Sequence, residues 1–222
     1  VLINGSPLEI GGWLPNVVSL TEAWYPGMEG GTVVANILFG KTNPSGRMPF
    51  TWPKKLEDAP SYKFGYQDND NVLYTEGLKV GYRYFDTAQV EPEFTFGYGL
   101  SYTTFDYRNL QLRKTGATIV SGSVEVHNTG SRDGSELVQV YVKPLRPSVE
   151  RPQHELKWFK KVFVPAGKSV RVEFELAKEA FSFYDVRLGN WRVDAGEYEI
   201  ELCRDSRNVI KSSRMVLDSE SN

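Results

Sequence analysis

Val170-Arg171-Val172-Glu173-Phe174-Glu175-Leu176 alternates apolar and charged residues at period two. Successive side chains of a strand point to opposite faces, so this stretch predicts a strand with one dry and one wet face. Glu197-Tyr198-Glu199-Ile200-Glu201-Leu202 repeats the pattern. Ser123-Val124-Glu125-Val126 and Leu137-Val138-Gln139-Val140-Tyr141-Val142 add two more strands. Turn signals separate them at Asn128-Thr129-Gly130, Asp133-Gly134, Pro165-Ala166-Gly167, Leu188-Gly189-Asn190 and Ala195-Gly196. About seven short strands with regular turns after residue 105 predict two packed antiparallel sheets.

Upstream the rhythm differs. Val1-Leu2-Ile3 is a short apolar run ended by Asn4-Gly5-Ser6-Pro7. Val17 to Tyr25 is a second strand candidate, stopped by Pro26-Gly27. Met28 to Phe39 reads as a helix with Val33, Val34, Ile37 and Leu38 on one face, and Gly40 sits where a left-handed cap is expected. Apolar strand, turn, strand, turn, helix is the pattern of a parallel sheet covered by helices. Residues 54–104 are rich in aromatics and glycine: Tyr82, Tyr84, Phe94, Phe96, Tyr98 and Tyr102 predict an extended, packed connector rather than a flexible linker. The expected architecture is therefore an α/β fragment, with a parallel-type sheet and helices, over residues 1–53. That connector follows, and then an all-β sandwich of immunoglobulin or fibronectin type III-like kind over 105–222. Val1-Leu2-Ile3-Asn4 reads as the tail of a strand, which predicts a piece of a longer polypeptide.

Composition narrows the chemistry. The chain has 222 residues, 26 Lys plus Arg against 28 Asp plus Glu, and a formal net charge of −2. That balance gives no reason to expect nucleic acid or an anionic membrane surface as a partner. No run of about 18 apolar residues is present, so no transmembrane helix is expected. The single cysteine, Cys203, cannot form an internal disulfide or a Cys-based zinc site, and two histidines are too few for a His-rich metal centre. No metal and no cofactor are expected.

A search for a catalytic set finds none complete. Glu173, Glu175, Glu197, Glu199 and Glu201 alternate with apolar positions and read as the wet face of strands. His127 and His154 read as ordinary surface or capping residues, and Cys203 as a small packed residue. Gly-x-Ser-x-Gly is absent, and Ser6 sits in a turn. Gly27-Met28-Glu29-Gly30-Gly31 precedes a helix, where an anion can sit, but it lacks the Walker lysine and dinucleotide spacing. Lys157, Lys160 and Lys161 interleave with Trp158 and Phe159 as a small basic-aromatic patch. Asp68, Asp70 and Glu76 lie in a polar stretch.

Several motifs in order resemble one family. Ala23-Trp24-Tyr25-Pro26-Gly27-Met28-Glu29-Gly30-Gly31, Leu38-Phe39-Gly40 and Asn43-Pro44-Ser45-Gly46-Arg47-Met48-Pro49-Phe50-Thr51-Trp52-Pro53 resemble the C-terminal half of the α/β-sandwich domain of glycoside hydrolase family 3. Tyr74-Thr75-Glu76-Gly77 and Val80-Gly81-Tyr82-Arg83-Tyr84-Phe85-Asp86 are similar to the segment that follows in that family's β-glucosidases. Phe96-Gly97-Tyr98-Gly99-Leu100-Ser101-Tyr102-Thr103-Thr104-Phe105 is similar to its entry into a fibronectin type III-like domain. Val126-His127-Asn128-Thr129-Gly130, Gly134-Ser135-Glu136, Gln139-Val140-Tyr141 and Ala195-Gly196-Glu197-Tyr198 fit that domain.

The resemblance implies a retaining glycosidase with two carboxyl groups. It places the nucleophilic Asp in an N-terminal barrel and the acid/base Glu earlier in the α/β domain. Neither position exists in this sequence, so no residue inherits a catalytic role and the chain alone is expected to be inactive. The implied partners are that missing barrel and half-domain, and a β-glucoside or oligosaccharide. Ligands of open α/β sheets lie beyond the strand ends, which makes Trp24 and Tyr25 candidates for sugar contact. The plainer reading is that they pack the sheet edge. Asp68 is a third candidate, from the connector. Cys203-Arg204-Asp205-Ser206 departs from a family pattern that has a small residue, usually Gly, before its serines, which is expected to alter only local packing. A non-catalytic module for scaffolding or for binding carbohydrate or protein, and a relative acting on xylosides or arabinosides, are the alternatives. Export and a cytoplasmic location are both open.

Overall fold

The alternation over residues 170–176 becomes one strand of a sandwich. In the computed structural model, which describes residues 1–64 and 73–218, two units form, Val1–Tyr102 and Thr103–Asn222.

In the first unit, Leu2 and Glu22 form a parallel bridge, with Leu2 N–H donating to Thr21 O at 2.8 Å and Ala23 N–H to Leu2 O at 2.9 Å. The pairing is parallel, as the sequence suggests, but shorter than the apolar runs around it. Helix α1 spans Gly30–Leu38. Gly40, at φ 70°, closes it by donating to Ile37 O at 2.9 Å, because a left-handed residue turns its N–H back on the last carbonyls. The face is rotated from the expected one. Val34 and Ile37 are half-buried, whereas Val33, Leu38 and Phe39 are exposed.

Residues 48–52 run antiparallel to 94–98. Met48 N–H donates to Tyr98 O, Gly97 N–H to Met48 O and Trp52 N–H to Phe94 O, each at 2.8 Å. Between them lie α2, Pro60–Phe64, and α3, Tyr82–Thr87. The connector, expected to be extended over 54–104, is thus partly helical, and its extended pairing is confined to residues 94–98. Gly81 starts α3 at φ 55°, a conformation other residues rarely take. Tyr82, Tyr84 and Phe85 are then buried and hold α3 in place. Fully buried Trp52 and Ile10 anchor this unit.

The second unit carries β1, Phe105–Lys114; β2, Val120–Asn128; β3, Gly134–Pro144; β4, Glu155–Val164; and β5, Ser169–Leu176. A one-turn helix α4, Lys178–Phe181, leads to β6, Phe183–Asp185, β7, Asn190–Arg192, β8, Gly196–Cys203, and β9, Val209–Leu217. One sheet has the order β1-β2-β5 and the other β4-β3-β8-β9; β6 and β7 form a separate hairpin. All pairings are antiparallel. Val124, Val126, Val138, Val140, Val172, Ile200 and Leu202 fill the space between the sheets. The buried positions of β5 are Val172, Phe174 and Leu176, with Arg171, Glu173 and Glu175 outward. The β4 stretch, seen in the sequence only as a basic-aromatic patch, is an edge strand whose exposed lysines discourage further pairing.

Candidate functional site

The ends of the bridged strands bring Asn4, Glu22, Trp24 and Tyr25 into one region of the first unit. Trp24 has φ 50°, which costs energy in a residue bearing a Cβ. Its N–H donates to the Glu22 Oε1 at 2.8 Å, which offsets part of that strain. Glu22 Oε2 and both polar atoms of the Asn4 amide are buried and have no hydrogen-bond partner among the described residues.

Trp24 starts a run of rings. It meets Phe50 edge-on at 5.5 Å, Phe50 stacks on Trp52 at 5.6 Å, and Trp52 meets Phe94 at 6.3 Å. These contacts give Trp24 a packing role. Tyr25 is 80% exposed, with its ring over Gly5, where a side chain has no room. Asp68 and Asp70 lie outside the described residues. Glu76 is half-buried, and its carbonyl accepts from Lys79 N–H at 3.0 Å. Gly27, at φ 70°, precedes α1, and no basic side chain falls in the first turn of that helix.

In the second unit the histidines part company. His127 is on the surface, 3.0 Å from the Ser169 hydroxyl. His154 is not a surface residue: it is 9% exposed, bonded through Nδ1 to Glu201 Oε2 at 2.6 Å and stacked on Tyr141 at 4.7 Å. Glu201 likewise leaves the wet face predicted for it and is 5% exposed. The imidazole supplies the partner that a buried carboxylate needs, and Lys143 Nζ lies 3.9 Å away. Period two places Glu201 outward, and a partner 47 residues distant leaves no trace in that pattern. Cys203 is buried, and desolvation pushes its thiol pKa up, with Glu201 and Asp205 adding to the effect, so it is not a nucleophile at neutral pH. Among the described residues no group of three or more His, Cys, Asp or Glu side chains is arranged to hold a metal ion. No helix there is long and apolar enough to cross a membrane.

Residues 1–102 match the model of the glycosyl hydrolase family 3 C-terminal domain, and residues 136–206 that of the fibronectin type III-like domain. The chain belongs to glycoside hydrolase family 3. The thermostable β-glucosidase B of Acetivibrio thermocellus is 43% identical over 99% of this chain. An exo-α-(1→6)-L-arabinopyranosidase of Bifidobacterium longum is 39% identical over 99%. In each case the matched part is 29% of the relative's own length. The crystal structure of a family 3 β-glucosidase from Bifidobacterium adolescentis superimposes with a TM-score of 0.94 at 38% identity, covering 99% of this chain and 32% of that one. The chain thus corresponds to the C-terminal part of family 3 glycoside hydrolases, an α/β portion followed by a fibronectin type III-like sandwich.

Proposed function

We propose that this chain forms the C-terminal portion of a retaining β-glucosidase that removes terminal non-reducing β-D-glucosyl residues. The nucleophile and acid/base are supplied by polypeptide outside these 222 residues. The observation that carries the reading is the 43% identity to a β-glucosidase across 99% of the chain. The strand-end region fits a supporting role: Trp24 packs in a run of rings, Glu22 holds the Trp24 backbone, and Trp24 and Tyr25 are the residues that this reading sets against a sugar ring. The remainder of the enzyme, a barrel and the first half of the α/β domain, is the partner this reading requires. Exposed Val33, Leu38, Phe39 and Met28 around α1 supply apolar surface for it.

The test is hydrolysis of an aryl β-D-glucoside by the purified 222-residue chain, alone and fused behind the N-terminal part of the Acetivibrio thermocellus enzyme. No turnover alone and turnover in the fusion support the reading. Turnover by the chain alone overturns the assignment of the chemistry to residues outside it. A second reading rests on the arabinopyranosidase relative. An aryl α-L-arabinopyranoside in the same assay, cleaved faster than the glucoside, supports that specificity instead.

A further inference from the structure

The outer face of the β6–β7 hairpin carries two aromatic rings. Tyr184 and Trp191 are directly opposite partners in the antiparallel register. They are 51% and 61% exposed, whereas Phe183 and Asp185 on either side of Tyr184 turn inward and are buried. The ring centroids lie 5.8 Å apart at 74°, so one ring is set on edge against the other and the angled pair is open to solvent. Neither the Tyr184 hydroxyl nor the Trp191 indole N–H has a hydrogen-bond partner among the described residues. The inner face fixes the hairpin. Asp185 accepts from the Arg187 backbone N–H at 3.0 Å and pairs with the guanidinium groups of Arg187 at 3.3 Å and Arg192 at 3.5 Å. Arg192 lies 5.0 Å over the Phe183 ring and reaches Asp194 at 3.2 Å. Gly189, at φ 61°, turns the chain between the two strands.

We propose that this hairpin face binds the pyranose rings of a neutral oligosaccharide. Aromatic rings pack against the C–H faces of a sugar, while the phenol and indole tips serve as polar handles for its hydroxyls. Charge argues for a neutral ligand. Asp185, Arg187, Arg192 and Asp194 neutralise one another, so the outer face carries no field that selects a polyanion or a polycation. Rigidity favours the same class. The ring pair is held by the strand register and by the ion pairs behind it, so the protein loses little freedom when a chain of sugars docks. Val186 and Leu188, 82% and 65% exposed at the turn, carry the apolar strip beyond one ring, which suits a ligand of several units. Sequence spacing conceals the site, because Tyr184 and Trp191 become neighbours only when the turn closes. The choice of a β-linked gluco-oligosaccharide rests on the proposed glucosidase reading, whereas the hairpin face itself does not.

The test is a titration of the full 15N-labelled chain with cellotetraose, followed by amide and indole shifts. Saturable shifts at the Trp191 indole and at residues 184–191, with Kd of about 1 mM, support the proposal. Trp191→Ala is expected to weaken binding about fivefold or more, with the spectrum of β1 to β5 unchanged. Tyr184→Phe keeps the ring and the fold and is expected to weaken binding about twofold through the lost hydroxyl. No shift up to about 20 mM overturns the proposal, as do shifts that Trp191→Ala leaves intact. Hydroxyl-radical labelling of Trp191, read by mass spectrometry in the chain alone and in the fusion enzyme, tests the other occupant. Equal labelling supports the proposal, and shielding in the fusion overturns it in favour of a contact with the rest of the enzyme. Binding is read on the chain without turnover. An inactive fusion enzyme with intact sugar binding therefore defeats the glucosidase reading and leaves the hairpin face standing.

Discussion

His154 Nδ1 lies 2.6 Å from Glu201 Oε2 in the second unit, and both side chains are buried. The pair joins the loop before β4 to the C-terminal end of β8, with Tyr141 of β3 stacked against the imidazole. Replacing either member leaves the other with an unmet hydrogen-bonding group at about 1–3 kcal/mol. His154→Ala and Glu201→Ala are each expected to lower the melting temperature by several degrees. The double variant is expected to lose less than the sum, because the penalty belongs to the unpaired survivor. Melting of the three variants checks this, and full additivity refutes the coupling.

Asn128 is fully buried at the end of β2 and acts as a knot. Its amide nitrogen donates to Arg132 O at 2.7 Å and Val164 O at 2.9 Å, and its Oδ1 accepts from the Thr103 hydroxyl at 2.6 Å and from Gly130 N–H at 3.1 Å. Asn128→Asp keeps the shape but replaces two donors with acceptors facing carbonyls. It is expected to cost about 2–4 kcal/mol at neutral pH, more than Asn128→Ala where the empty space admits water. Urea midpoints of the two variants decide the order.

Gly122 faces the Phe174 ring across the β2–β5 pair, and a Cβ there has no room. Gly122→Ala is expected to cost about 1–3 kcal/mol by overpacking. Combining it with Phe174→Leu is expected to recover part of that loss. A double variant no more stable than the sum of the single effects refutes the steric account.

The strands legible in the sequence are those whose neighbours impose a clean two-sided environment. β5 shows Val172, Phe174 and Leu176 inward and Arg171, Glu173 and Glu175 outward, so its pattern is a copy of its surroundings. β8 begins in the same way, but Glu201, Leu202 and Cys203 are all buried, because the outer face near its end is covered. Period two carries no sign of that cover. β4 shows the opposite failure: exposed Phe159 and Phe163 on an edge strand blur the alternation with apolar residues on the wrong face. In the first unit, Gly40 marks the end of α1 from local chemistry alone, whereas Asn43-Pro44-Ser45-Gly46, rich in turn residues, forms no turn. The positive φ of Trp24 and the stranded Asn4 amide depend on the meeting of two segments and leave no local signature. Trp24 and Tyr25 were nameable as strand-end residues, whereas Glu22, which holds the Trp24 backbone, carries no pattern that singles it out.

The acid response of the sandwich is expected to involve Asp185 at the end of β6. The Arg187 side chain bonded to this carboxylate holds its pKa below the ordinary value of 3.8, assisted by the Arg187 backbone N–H and the nearby Arg192, against an opposing desolvation effect. A carboxylate with a depressed folded-state pKa binds its proton more readily when unfolded. Its contribution to stability is therefore complete above pH 3.8 and is lost as the pH falls through the lower folded value. Asp185→Asn is expected to be less stable than the parent at pH 7 and to lose less on going from pH 5 to about pH 2, so that the two stability curves converge in acid. Melting curves at pH 7, 5, 4, 3 and 2 measure the convergence. Parallel curves would show that the Asp185–Arg187 contact contributes equally in both protonation states and does not set the acid limb.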